Sequence, residues 1–183
     1  MANKKSKTNL SIEIKLPPEV NAQLDKDILT LKGPKGDAKR NLSDKKVSIE
    51  LKEGSVILKA LKSNKVNKKL IKSYAAHIKN MIKGSFDGHK YTLKICSGHF
   101  PMNVSINKDQ LIVKNFLGEK VPRTLKLKPS VEVKVEGELI IVESSSKEIA
   151  GQVSSDIEQL TRRTRYDTRI FQDGIWITSK DDK

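Results

Sequence analysis

At 183 residues, 36% hydrophobic and 32% charged, the chain has apolar content for one large core or two small ones beneath a highly polar surface. A formal charge of +14 and a pI near 9.8 point to a polyanionic partner, nucleic acid ahead of an acidic membrane surface. The single cysteine, Cys96, excludes an internal disulfide and fits a reducing cytosol, and no apolar run approaches the ~18 residues of a membrane span.

Residues 1–9 are basic with no apolar segment behind them, so a short flexible arm that touches phosphate or frays is expected there, not a secretory signal. Leu10, Ile12, Ile14 and Leu16 alternate with polar neighbours, the pattern of a half-buried strand, and Pro17-Pro18 stops it. Val20 to Leu31 reads as strand, turn at Asp25-Lys26-Asp27, and strand. A Gly-containing loop follows, Lys32-Gly33-Pro34-Lys35-Gly36-Asp37, in which Gly36 is expected at φ > 0. Val47, Ile49 and Leu51, then Glu53-Gly54-Ser55 and Val56-Ile57-Leu58, make a further hairpin. From Asn64 the period turns helical. Val66, Leu70, Tyr74, Ile78 and Met81 form the apolar face, Lys65, Lys68, Lys69, Lys72 and Lys79 the wet one, and Lys83-Gly84 a C-cap.

The pattern then recurs. Met102, Val104 and Ile106 alternate after Phe100-Pro101, and Asn107-Lys108-Asp109 matches Asp25-Lys26-Asp27. Leu111 to Lys120 repeats the Gly-containing stretch eighty-two positions after Leu29, with Gly118 in the place of Gly36. Val131, Val133 and Val135 lead into Glu136-Gly137-Glu138 and Leu139-Ile140-Ile141, the second version of the later hairpin. A second helix is expected from Ser145, with Ser145 and Glu148 at capping-box spacing and Ile149, Val153, Ile157 and Leu160 facing inward. Its end at Arg162 and Arg163 suits the negative pole of the helix dipole. Thr168 to Ile177 reads as strand, Asp173-Gly174 turn and strand, with Trp176 more often a core residue than a base-stacking one. Five features in register establish an α+β fold of two tandem similar domains, each an antiparallel β-sheet packed with one main α-helix. The expected boundaries are 10–84 and 85–183, joined near Lys83 to Asp87.

Catalytic and metal chemistry find no footing. Cys96 and His99 have C-x-x-H spacing but no second pair, no G-x-S-x-G occurs, and Gly33 to Asp37 lacks the phosphate-loop pattern and feeds a strand. No enzyme, metal or other cofactor is expected. The basic groups remain. Residues 1–84 hold 20 Lys/Arg against 8 Asp/Glu, and residues 85–183 hold 16 against 14, yet the second half concentrates its arginine. The lysines of the first helix read as a solvated face. Lys114, Lys120, Arg123, Lys126 and Lys128 line one loop and its returning strand, where Lys126 and Lys128 share a side. Arg162, Arg163, Arg165 and Arg169 form a local switch to arginine, whose planar fork matches phosphate oxygens. Phe116 is a candidate for base stacking, with core packing the commoner role.

These residues resemble a family, the universal large-subunit ribosomal proteins called L-six, in the archaeal and eukaryotic form. The resemblance rests on Leu31 to Gly36, His77 to Gly84, His99-Phe100-Pro101, Asn115 to Lys120 and Arg169 to Ile175, and it covers the chain after residue 10. The family pattern usually has Tyr where Trp176 stands. The resemblance implies a structural constituent of the ribosome, cytoplasmic, with no membrane or small-molecule substrate. Its implied partners are large-subunit rRNA near the factor-binding region, and neighbouring proteins at the stalk base. It also implies that the second domain is the main rRNA-binding one, against the net-charge count. The alternative is a basic two-domain adaptor whose main partner is an acidic protein, which the lysine-rich first domain favours.

Overall fold

A computed structural model describes residues 10–44, 46–52, 54–60, 62–167 and 169–181. The expected basic arm over residues 1–9, and Glu53 and Thr168 of the expected hairpins, lie outside them. The chain divides into two compact units, Met1–Asp87 and Gly88–Lys183.

In the first unit, β1 (Leu10–Lys15), β6 (Ser55–Ala60) and β5 (Val47–Lys52) form one antiparallel sheet with β6 central. A second antiparallel sheet holds β2 (Asn21–Asp25), β3 (Ile28–Gly33) and β4 (Gly36–Asn41). The strands are thus split between two sheets, where the sequence pattern suggested one. Pro17, which lacks an N–H, ends β1, and Leu42 turns inward to donate its N–H to Asp27 O at 2.9 Å. Helix α1 (Lys65–Phe86) packs on both sheets, laying Ile71, Ala75, Ile78 and Met81 over Leu29, Leu31, Val56 and Leu58. Asn64 caps it, its side chain accepting from Asn67 N at 3.0 Å.

Gly84 is not the C-cap. The helix continues to Phe86 with Gly84 and Ser85 buried, because the β3–β4 turn seats on its last turn. Lys35 N donates to Ser85 O at 3.0 Å. A Cβ on Gly33 would stand 2.4 Å from that same oxygen, so this close approach admits only glycine.

The second unit repeats the plan. β8 (Asn103–Asn107), β9 (Gln110–Lys114) and β10 (Arg123–Lys126) form one sheet. β11 (Glu132–Glu136), β12 (Leu139–Ser144), β7 (His89–Cys96) and β13 (Gly174–Lys180) form the other, with β13 an added edge strand beside β7. Helix α2 (Lys147–Leu160) starts with Ser146 at the N-cap position, whose side chain makes no capping bond. It buries Ala150, Val153 and Ile157 against Leu93, Leu111, Ile140, Val142 and Ile175. Where β13 ends, Asp181 lies against His89 and Lys147. His89 Nδ1 is 3.0 Å from Asp181 Oδ1, and Lys147 Nζ 3.3 Å from Oδ2.

The expected strand before Asp173 does not form among the described residues. Residues 169–173 instead fold as turn and coil, with Ile170 N and Phe171 N both donating to Asp167 O. Asp173 does not head a hairpin turn. It is buried and collects hydrogen bonds from a distant loop, and its burial takes the place of the turn. Trp176 is 41% exposed rather than in the core, and its indole N–H donates to Gln172 O at 3.0 Å.

Candidate nucleic-acid interface

The Gly-containing stretch after β9 is a wide loop. Asn115, Leu117 and Gly118 all have left-handed φ (59°, 49° and 76°), and a 3-10 turn spans Phe116–Gly118. The coiled backbone drives Phe116 inward, to 1% exposure, so it is a core residue and not a stacking platform. The Asn115 amide holds the loop by donating to Pro101 O at 3.0 Å.

Two arginines meet above Phe116. The guanidinium carbon of Arg123 lies 4.5 Å and that of Arg163 5.6 Å from the ring centroid. One carboxylate binds both. Glu119 accepts from Arg123 Nε and Nη2 at 2.8 Å each, a bidentate pair, and also from Arg163 Nη2. The Arg123 hydrogen bonds hold the Glu119 carboxyl down to about 2 from its ordinary 4.5, partial burial opposes them, and Arg163 adds to the lowering. The third arm of Arg123, Nη1, donates to Leu160 O at 2.6 Å. The cation at the negative end of α2 therefore comes from β10, while the last turn of α2 itself carries no basic residue.

A chain of stacked groups leads away from this pair. Arg163 donates to Tyr166 Oη at 3.1 Å and lies 5.2 Å from its ring. Tyr166 meets Phe171 edge-on at 5.0 Å, and Phe171 stacks on His99 at 4.7 Å. The His99 ring donates to Asp173 Oδ2 at 2.6 Å, and the Gly98 and His99 N–H groups donate to Oδ1 at 2.7 and 2.9 Å. Burial pushes the Asp173 carboxyl up, but the hydrogen bonds from the His99 N–H and ring and from Gly98 outweigh it and hold it low. Three segments far apart in sequence, 97–101, 115–123 and 161–173, are thereby tied into one surface.

Of the basic residues singled out from the sequence, Arg123 and Arg163 are half-buried inside this network. Lys114, Lys120, Lys126, Lys128, Arg162, Arg165 and Arg169 are all exposed. β10 stops at Lys126, so Lys128 lies beyond the strand, with buried Leu127 between the two. Arg165 has left-handed φ, 74°. Arg169 makes a fork to Asp167 at 3.1 and 2.8 Å with its side chain 88% exposed. Glu119, Tyr166 and Phe171 escape the sequence reading, which gives His99 and Asp173 other roles, in a C-x-x-H spacing and in a turn. Only Glu119 had a local signal, as the sole acid between Lys114 and Lys128 and four residues before Arg123.

Among the described residues no group of three His, Cys, Asp or Glu side chains is placed to hold a metal ion, and no helix is long and apolar enough to cross a membrane. Cys96 is a half-buried free thiol. A duplicated α+β scaffold that carries basic side chains on a packed loop surface defines the chain's class.

The model of the ribosomal protein L6 family matches residues 16–88 and again residues 100–174, one match to each unit. The chain belongs to that family, which is a structural component of the ribosome and not an enzyme. It is 41% identical to the large ribosomal subunit protein uL6 of Methanosarcina mazei, over 91% of this chain and 95% of the relative. The proteins of the same description from Natronomonas pharaonis and Methanobrevibacter smithii are 36% and 40% identical, over 93% and 92% of this chain and 97% and 95% of theirs.

Proposed function

We propose that this chain is a structural constituent of the large ribosomal subunit, in the cytoplasm, that binds large-subunit rRNA near the factor-binding region and stalk base, beside neighbouring subunit proteins. The observation that carries this reading is end-to-end similarity to relatives described as large ribosomal subunit protein uL6, joined to an exposed basic rim on the second unit. The residues divide the work. Lys114, Lys120, Lys126, Lys128, Arg162, Arg165 and Arg169 contact phosphate. Arg123 and Arg163, whose forks are engaged by Glu119, Leu160 and Tyr166, hold the loops that carry them. Recognition is of RNA shape and backbone, since the A-form major groove is too deep and narrow for side chains.

The class is tested by sedimenting the native protein from lysate through sucrose gradients at moderate and high salt. Co-migration with the large subunit that survives moderate salt is the expected outcome; migration as a small free protein refutes it. The residue assignment is tested by replacing Arg162, Arg165 and Arg169 together with Gln. The slope of log affinity against log salt for rRNA should become shallower by about 2 to 3. A slope equal to that of the unaltered chain would sink the assignment.

A further inference from the structure

The first unit carries a polar feature that the reading above does not use. Lys65, Lys68, Lys69, Lys72 and Lys79 are all exposed on α1. At 100° per residue they fall within an arc of about 100° and extend over about 21 Å of helix. The buried Ile71, Ala75, Ile78 and Met81 centre about 120° further round the helix, so the stripe lies on its solvent side, beside the core-facing one. None of the five makes an ion pair among the described residues.

This arrangement works against the helix that carries it. The helix contains no Asp or Glu, and its first turn, where the dipole favours anions, holds Lys65 and Lys68. The pairs 65/68, 65/69, 68/72 and 69/72 stand at the three- and four-residue spacings where like charges repel. Helix propensity does not demand it, since Glu serves as well as Lys. Nor does the fold demand it. Helix α2 fills the corresponding place in the second unit with Glu148 in its first turn and Asp156 and Glu158 beyond. A local rule broken in one copy and obeyed in the other marks a use outside folding.

We infer that the lysine face of α1 is a second polyanion-binding surface, and that its occupant is the phosphate backbone of RNA. The inference rests on RNA being the partner, but places contact on the unit that the reading above leaves without a role. Charge complementarity selects the class of ligand. The face offers point charges without a guanidinium fork or an aromatic ring, which suits phosphates and reads no base. An acidic protein would need an apolar anchor at the centre of its contact, and between Lys65 and Lys79 the only apolar residue within the arc is Ala76, Phe86 lying at the far end of the helix.

The test uses the full chain with Lys68, Lys69 and Lys72 replaced by Gln, and a generic RNA duplex of about 20 base pairs as probe. Poly-glutamate serves as the competing probe. Relief of repulsion should leave the thermal midpoint equal or raised, so folding is not in question. The expected result is about tenfold weaker RNA binding at low salt, with a salt slope shallower by about 2 to 3. Unchanged RNA binding overturns the inference. So does a loss confined to poly-glutamate, which would assign the face to an acidic protein. Run beside it, the Arg162/Arg165/Arg169→Gln variant separates the two readings. If it alone loses slope, only the α1 inference falls; if the lysine variant alone loses slope, the second-unit assignment falls and this one stands.

Discussion

Gly33 to Gly36 turns β3 back onto β4 through two residues, whereas the matching stretch after β9 runs through residues 115–122 before β10 begins. Both copies keep a Lys before the turn and an acid after the glycine, yet the acids have different roles. Asp37 sits on β4, paired in register with Lys32. Glu119, freed from the ladder by the longer loop, reaches two arginines and, through them, the end of α2. Duplication supplied one scaffold twice. The two units differ in the length of that one connection and in the added edge strand β13.

The largest effect expected from breaking this contrast is at Gly33. A methyl group there meets a backbone oxygen that cannot step aside, so Gly33→Ala should cost about 3 kcal/mol in denaturant unfolding of the first unit. A cost below about 1 kcal/mol would mean that the turn does not seat on α1 in solution.

Glu119→Gln should cost about 2 kcal/mol at neutral pH, because one neutral amide cannot serve two guanidiniums. The pH dependence sharpens the test. The folded carboxyl titrates near 2 and the unfolded one near 4.5, so its stabilisation is complete above about pH 4.5 and disappears as the pH falls toward 2. The unaltered chain and the Gln variant should therefore converge in stability across that window. Parallel curves would show that Glu119 carries no charge-dependent role.

The smallest effect is expected at Gly118. Its φ of 76° is the left-handed region, but the nearest atoms to an added Cβ belong to the Phe100 ring at 3.6 Å, which has room to shift. Gly118→Ala should cost about 1 kcal/mol, a third of the Gly33 effect. Equal costs at the two glycines would contradict the distinction between tight turn and open loop.

Much of the scaffold was legible because its signals are local and periodic. Alternation marked Leu29 and Leu31, and again Val131 and Val133, while spacings of three and four marked Ile78 and Ile157. The turn residues Lys26 and Lys108 both adopt left-handed φ where the matching Asp/Asn-Lys-Asp triplets stand. The network around Phe116 was not legible, because its bonds join residues 44 and 74 or 75 positions apart and leave no period in the sequence. Asp173-Gly174 misled for a related reason. The pair has turn chemistry, and only the Gly98 and His99 N–H groups, contributed by another loop, give the carboxylate a different task. The residue type of Trp176 favours the core, but it stands on the added edge strand, one of whose faces the core never reaches. The basic residues were visible individually; that Arg123 and Arg163 are engaged by a shared acid depends on three dimensions.

The placement of β13 beside β7 bears on the order in which the protein is made. The first unit has every strand and its helix by residue 87, so it can close while the rest of the chain is still being synthesised. The second cannot. Its β7, among the first segments of that unit to emerge, keeps one edge open until residues 174–180 arrive to pair with it, with Asp181 then meeting His89. During that interval β7 keeps an unpaired edge and the core lacks Ile175, which makes the second unit the one more exposed to aggregation.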